Sequence, residues 1–440
     1  MRYLTISIMA LIAVPGFAQN GQWSLQRCID YAIEHSITVK QQEKNVENSE
    51  ISLSTARNSR LPNLNASASQ SFNFGRGLTS DNTYTNRNTR STGFDLGTSI
   101  PIYTGGQIPN NIAARRFDLQ AAVADLDRAR ENIAVQVASG FLEALYQKEL
   151  VSVAERQVEL SLAQLRRIER LYQNGKQAES DVAQARSVVA NDQLSLTQQR
   201  NAMQLALLDL SQLLELSTPE GFDIQQPDSL EVAQAIACVL ASPDDIFSVA
   251  TVSRPQIKAE QFRLESAKRN ISIARSGLLP SLNFSGGMGS SYYKTSGFPA
   301  ERFGSQIENN LNHYIGLSLS IPIFNRFSVR NQIRQAKVQA ENQQLALDAT
   351  QKSLYKEIQQ AYYNAVAARK QYEASGIAEE AAHASFDLMQ KKFENGKANS
   401  TEYEEARTRH LKAQADLLQA KYTYLFRQKI LNFYRGDTLY

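Results

Sequence analysis

The chain has almost no long hydrophobic run. Across its 440 residues no window approaches the roughly 18 to 20 continuous apolar residues of a transmembrane helix, apart from a shorter stretch at the start. There Arg2 precedes an apolar run from Tyr3 to Val14, followed by Pro15-Gly16 and Ala18, the layout of a secretory signal over 1–18 cleaved after Ala18. An uncleaved membrane anchor is the alternative, and the run is short for one. No cysteine follows the cut, which speaks against a lipid anchor there. Charge of one sign is equally scarce: a net charge of +3 with 21% charged residues, the Lys and Arg spread along helical stretches, leaves no footprint for nucleic acid.

Cysteine and histidine are sparse too. Cys28 and Cys238 are the two cysteines; a disulfide and two buried free thiols both stand as readings for an exported chain, the second the plainer. The four histidines, His35, His313, His383 and His410, form no local metal-ligand spacing, and no Walker loop or nucleophile elbow appears. Gly286-Gly287-Met288-Gly289 lacks the strand-then-helix context of a nucleotide site and reads as a strand with small residues. No cofactor or metal is expected, an enzyme is the least expected class, and any pumping energy must come from a partner.

What the chain does have is a duplication. Leu61-Pro62-Asn63-Leu64-Asn65 returns as Leu279-Pro280-Ser281-Leu282-Asn283, 218 residues on. Ser99-Ile100-Pro101-Ile102-Tyr103 returns as Ser320-Ile321-Pro322-Ile323-Phe324, and Asn174-Gly175-Lys176 as Asn395-Gly396-Lys397, both 221 residues on. Gln184-Ala185-Arg186 is echoed by Glu405-Ala406-Arg407. One small length change between Asn65 and Ser99 separates two colinear halves, so the repeat is a duplicated supersecondary unit rather than a short solenoid. The expected domains are a first repeat over 19–216, a linking belt over 217–243 rich in proline, and a second repeat over 244–440.

Each half switches hydrophobic period twice. Residues 24–60 predict one helix stopped by Pro62. Leu64, Ala66, Ala68 and Phe72 then alternate with small polar residues, and Phe94, Leu96, Thr98, Ile100 and Ile102 with Asp95, Gly97 and Ser99, predicting a β-hairpin over 63–103 with a loop from Gly75 to Thr92. The second half predicts a hairpin over 281–324, its loop running from Tyr292 to Asn312 and its last strand carrying Ile315, Leu317, Leu319, Ile321 and Ile323. These strands have the length and pattern of transmembrane barrel strands. An open four-stranded sheet with two bare edges cannot sit in lipid, so the barrel must close with copies of the chain. A dimer would give eight strands and a trimer twelve; strand count alone does not choose.

Long helical stretches follow each hairpin. One runs from about Pro109 to Tyr172, on the order of 95 Å at about 1.5 Å per residue, with Ala121, Ala124, Leu126, Ile133, Val137, Phe141, Leu145 and Val151 as its seam. Its twin runs from about Val329 to Phe393. Both reach Asn-Gly and restart, predicting helical hairpins over 109–216 and 329–435 that pack as antiparallel coiled coils. Ser180 and Thr401 are the predicted N-caps, with Thr401 and Glu404 forming a capping box.

The order helix, β-hairpin, helical hairpin, duplicated, with Ser-Ile-Pro-Ile at the strand-to-helix junctions and acidic residues after the Asn-Gly-Lys turns, resembles the TolC-like outer-membrane efflux factor family over nearly all of the mature chain. The resemblance implies a homotrimer in the outer membrane of a Gram-negative type envelope: a twelve-stranded β-barrel in lipid continued by a long periplasmic α-helical barrel. It implies a passive exit duct for tripartite efflux or type I secretion, served by a periplasmic membrane-fusion adaptor and an inner-membrane transporter of the RND or ABC type. The contrasting expectation is an exported coiled-coil stalk or adhesin without a pore.

The resemblance also directs attention to the hairpin tips. By position Asp181 resembles the family's gate aspartate, and Glu402 and Glu405 its acidic entrance ring, which in a trimer favours cations. The turns Asn174, Gly175, Lys176 and Asn395, Gly396, Lys397 are the expected adaptor contacts. The chain departs from the best-known gate pattern in having Phe393 three residues before the glycine and Ala398 two after it. Closure then falls to apolar packing by Phe393 or to Lys176 and Lys397.

Overall fold

The computed structural model describes residues 22–78, 82–218, 220–226 and 241–437. The signal expected over 1–18, and Cys238, lie outside them. The elements in chain order are α1 (Leu25–His35), α2 (Ile37–Asn58), β1 (Asn63–Asn73), β2 (Arg76–Leu78), β3 (Tyr84–Asn86), β4 (Thr89–Tyr103), α3 (Gln107–Gln173) and α4 (Glu179–Leu213). The second half continues with α5 (Pro243–Ser253), α6 (Pro255–Ser276), β5 (Ser281–Thr295), α7 (Phe303–Asn309), β6 (Asn312–Ser320), α8 (Ser328–Glu394) and α9 (Ser400–Arg435). The chain divides into two compact units: the described parts of 1–39, 130–249 and 357–440 form one, and 40–129 with 250–356 the other. No helix among the described residues is long and apolar enough to cross a membrane.

Four expectations need correction. The single helix over 24–60 is two, because Ser36 leaves the helical region with ψ of 127°. Just before it, His35 stacks on Tyr31 and bonds the Tyr31 carbonyl at 3.0 Å through Nδ1. The loop from Gly75 to Thr92 holds the short β2–β3 ribbon, and β4 already begins at Thr89. The loop from Tyr292 to Asn312 is shorter than its composition suggests, since β5 runs to Thr295 and α7 fills part of the rest. The last strand stops at Ser320. Pro322 has no N–H to continue the ladder, and Ile321 and Ile323 lie beyond it, exposed.

In the unit that carries the sheet, the order is β1-β4-β5-β6 and every pairing is antiparallel. The register carries the alternation of each strand across the whole sheet. Ala66 faces Leu96, which faces Met288, and Ile100 faces Phe284, which faces Leu317. One face is therefore mainly apolar between the rows of Leu319 and Phe94, with Leu64, Ile315, Leu317 and Leu319 exposed, while Gln70–Thr92 and Arg90–Lys294 make its rows at the loop end polar and His313 stands opposite Met288. The other face is small and polar: Ser67–Asp95–Gly289–Asn312 form one row and Asn65–Gly97–Gly287–Tyr314 the next. The Tyr314 ring lies over Gly287, where a Cβ would meet it at 2.8 Å, so glycine is required beneath it. The eleven residues of β1, at about 3.3 Å each and tilted by about 40°, rise about 28 Å, close to the apolar band of a membrane barrel. Within the sheet β1 and β6 each pair on one side only.

The other unit is helical. The α3 seam is buried where the sequence places it, Val137 and Leu145 fully; each buried aliphatic side chain stabilises by about 1.5–3 kcal/mol. Beside it, Trp23 bridges Ile224, its N–H donating to the Asp223 carbonyl at 2.9 Å. Trp23 packs edge-on against Tyr31 and Phe222, with the Arg27 guanidinium over its ring. Lys148 of α3 donates to the Asp223 carboxylate at 2.7 and 2.8 Å and to the Ile224 carbonyl at 3.1 Å. Burial works to raise the Asp223 pKa, but the bonds from Lys148, Gln22 and the Ile224 N–H outweigh it and hold the carboxyl below its ordinary value. Cys28 is a buried free thiol, pushed up to about 12 by burial against a smaller opposing effect of Arg27.

Candidate functional site at the helical tips

Both tips are built by one local device. In the first, the Gly175 N–H bonds the Tyr172 carbonyl at 2.9 Å and the Lys176 N–H reaches the Leu171 carbonyl at 2.9 Å. In the second, Gly396 bonds Phe393 at 3.1 Å and Lys397 bonds Lys392 at 2.8 Å. These pairs are the Schellman closure of a helix, which needs a left-handed residue at the turn. Gly175 and Gly396 both supply it, each with φ of 68°. The six turn residues Asn174, Gly175, Lys176, Asn395, Gly396 and Lys397 are all exposed.

The return helices begin earlier than the sequence suggests. Their N-caps are Ala178 and Asn399, not Ser180 and Thr401. Asn399 Oδ1 accepts from the Glu402 N–H at 2.8 Å, and Glu402 Oε2 accepts from the Asn399 N–H at 3.0 Å. The capping box is therefore Asn399–Glu402. It forms here because Asn399 follows the turn in an extended conformation, with φ of −88° and ψ of 168°, leaving Thr401 already inside the helix. Asp181, the repeat partner of Glu402, accepts from the Ala178 N–H at 3.3 Å. Ala178 stands where the second copy has Asn399 and offers no side-chain acceptor, so the first box is half built.

The acids expected together are only partly so. Asp181 and Glu404 border the hollow between the two tips, a cavity of about 740 Å³ also lined by Ile168, Phe386, Phe393 and Arg407. Glu405 borders an adjoining, more open hollow with Asp181 and Arg409. Its carboxylate pairs with Arg409 at 3.1 Å on the exposed surface. Glu402 is turned to its own N-cap. Phe393 stacks on Tyr403, ring centres 4.8 Å apart, and burial pushes the Tyr403 hydroxyl pKa up.

Sequence reading missed what ties the two hairpins together. Arg407 of α9 is buried and pairs with Asp192 of α4, their side chains 8% and 13% exposed, and its other nitrogen holds Glu404 at 2.7 Å. Gln157 of α3 lies against Arg407 as well, placed to accept from it with its amide oxygen turned inward. Nearer the turn, Arg167 of α3 donates to the Glu394 carbonyl at 2.9 Å, joining the last turn of α8 to the first hairpin. A signal existed in the repeat: Arg186 and Arg407 are equivalent, but Arg186 pairs within its own hairpin with Glu169 at 3.1 Å. The difference arises because the first copy has Asp192 where the second has Ala413.

Comparison with known proteins places this architecture. A family model described as outer membrane efflux protein matches residues 28–215 and 246–436. The outer membrane efflux protein BepC of Brucella suis biovar 1 (strain 1330) is 22% identical over 419 residues, 94% of this chain and 86% of that protein. The pyoverdine export outer membrane protein OpmQ of Pseudomonas putida is 28% identical over 259 residues, 58% of this chain and 51% of that protein, so this match spans about half its length. A crystal structure of CusC superposes with a TM-score of 0.78 at 17% identity, covering 96% of each chain.

Proposed function

The chain belongs to the outer membrane efflux protein family, and from that membership we propose how its own residues build and guard a duct. It is an outer-membrane exit duct of an efflux or secretion system and extends into the periplasm. The family is one of channels rather than enzymes, acting as trimers with adaptors and inner-membrane transporters; the role proposed for this chain is passive conduction.

The observation that carries the reading is the sheet. One face carries an apolar band across all four strands, from Leu64, Leu96 and Ile100 to Phe284, Met288, Ile315 and Leu317, and the sheet's edge strands, β1 and β6, each pair on one side only. In lipid each edge N–H and C=O needs a partner. Three copies pairing β6 of one with β1 of the next would close twelve strands, apolar face outward and Ser, Gly and Asn facing the water. The same face leaves the soluble stalk or adhesin without support. Among transporters, the RND and ABC types remain equally compatible, and the cargo is chosen upstream of a wide duct. Planar-bilayer recording from the detergent-extracted protein tests the reading: discrete conductance from a heat-modifiable trimer is expected, and a water-soluble monomer without conductance would overturn it.

The gate belongs to the tips. Asp181, Glu402 and Glu405 are proposed to line the periplasmic entrance, with the two Asn-Gly-Lys turns offered to the adaptor and Phe393 packing the closed state. Support comes from Asp181 and Glu405 bordering one hollow, from Glu402 opening the return helix beside it, and from the cross-hairpin ties of Arg407 and Arg167, which hold the tips together until something competes for them. The capping bonds of Asp181 and Glu402 set their backbone positions and leave one carboxylate oxygen each for the lumen.

A further inference from the structure

The two histidines that sequence spacing leaves unrelated are brought level by the second helical hairpin. The α8–α9 turn is centred on Gly396 and Lys397, and His383 and His410 lie symmetrically about it, thirteen residues away on either side. Their rings are 5.0 Å apart. Glu379, one turn before His383 on α8, faces the same place, its Oε1 3.9 Å from His410 Nδ1. One ligand atom from each of the three lies within 4.8 Å of the others.

The first copy shows what this layer holds when it is only packing. The equivalents of Glu379, His383 and His410 are Val158, Leu162 and Val189, Val189 buried. The second copy has replaced an apolar layer of the coiled coil by one carboxylate and two imidazoles. That exchange is unfavourable unless the polar atoms find partners, and His410 Nδ1 is buried without a hydrogen bond. Phe386 stacks on the His410 ring at 5.4 Å, within 9° of parallel, and fixes its plane. His383 Nε2 lies 3.7 Å from Asp387.

We propose that Glu379, His383 and His410 form a site for a divalent first-row transition cation such as Zn²⁺. A set of two imidazoles and one carboxylate suits zinc, nickel or copper(II) rather than calcium or magnesium. Three protein ligands leave a fourth position for water or Asp387. Ligand atoms of a four-coordinate zinc, each about 2.0–2.2 Å from the metal, sit closer together than here, within reach of small side-chain rotations. Bound there, the cation would bridge α8 to α9 about 20 Å from the turn, at about 1.5 Å per residue, and clamp the hairpin that carries Glu402 and Glu405.

The test is calorimetric titration of the tag-free, detergent-solubilised protein with ZnCl₂, alongside its thermal unfolding with and without zinc. Wild type should bind one Zn²⁺ per chain and unfold at higher temperature when loaded. The Glu379→Val/His383→Leu/His410→Val variant restores the layer of the first copy, so it should fold at least as well and lose both responses. His35→Ala and His313→Ala should keep them. Absence of zinc binding by wild type, or binding that survives the triple replacement or is abolished equally by His35→Ala or His313→Ala, would overturn the site.

Discussion

Replacing Arg407 by alanine should loosen the tips far more than replacing its repeat twin Arg186. Arg407 and Asp192 are 8% and 13% exposed, whereas Arg186 and Glu169 are 67% and 34% exposed. Removing one partner of a buried pair strands the other charge and costs about 3–5 kcal/mol, while an exposed pair is worth about 0–1 kcal/mol. Glu404, the third member, is 29% exposed, so water reaches the cluster and the lower figure, about 3 kcal/mol, is the better expectation. The difference between the two variants is then about 2 kcal/mol, about thirtyfold in the equilibrium between joined and separated tips. Hydrogen exchange on the detergent-solubilised protein reads it: Arg407→Ala should strip protection from the first three turns of α4 and α9, and Arg186→Ala should leave it nearly intact. Arg407→Met combined with Asp192→Leu removes both charges and should recover most of the loss. Equal effects from the two single variants, or no recovery in the double, would refute the argument.

Other outcomes follow from the same geometry. Ala178→Asn gives the first return helix the cap its twin has, and should slow local exchange at its start by about 1 kcal/mol. Glu402→Gln with Glu405→Gln should lower cation selectivity in single-channel recordings; unchanged selectivity and unchanged block by multivalent cations would remove both from the pore entrance. Leu317→Lys on the apolar face should destabilise the barrel by about 2–4 kcal/mol near the midplane, and Ser318→Lys on the opposite face far less; heat-modifiability on gels separates them. Asp223 is held below its ordinary pKa, so the stability it contributes is present above the unfolded value and lost as pH falls through the folded one, below about 4. Trp23, the single tryptophan, should report this as a red-shifted emission in acid, and Lys148→Met should move that transition to higher pH.

The regular parts were legible because periodicity and punctuation agree there. Leu64 to Phe72 alternate on the strand that forms, and Asn174-Gly175 and Asn395-Gly396 stop helices where a left-handed residue is needed. Failures came where a local competitor was stronger than the pattern. Ile321 and Ile323 continue the alternation of β6, yet Pro322 ends the ladder; Thr401 and Glu404 match a capping box, yet Asn399 takes the cap first. The most informative contacts were hidden for another reason. Arg407 with Asp192, and His383 with His410, are 215 and 27 residues apart; the antiparallel return of α9 along α8 makes the histidines neighbours, and the packing of one hairpin against the other joins Arg407 to Asp192. The duplication offers a partial remedy, since Asp192 against Ala413 and His410 against Val189 are visible as departures between copies.

Closure of the barrel by copies of the chain is the claim on which the rest depends. Disulfide cross-linking tests it directly, using chains with one cysteine on β1 and one on β6, scanned over register, with Cys238 replaced by serine and Cys28 left as a buried thiol. A covalent ladder that stops at three chains is predicted. A ladder that stops at two, runs on without limit, or never forms would contradict the account.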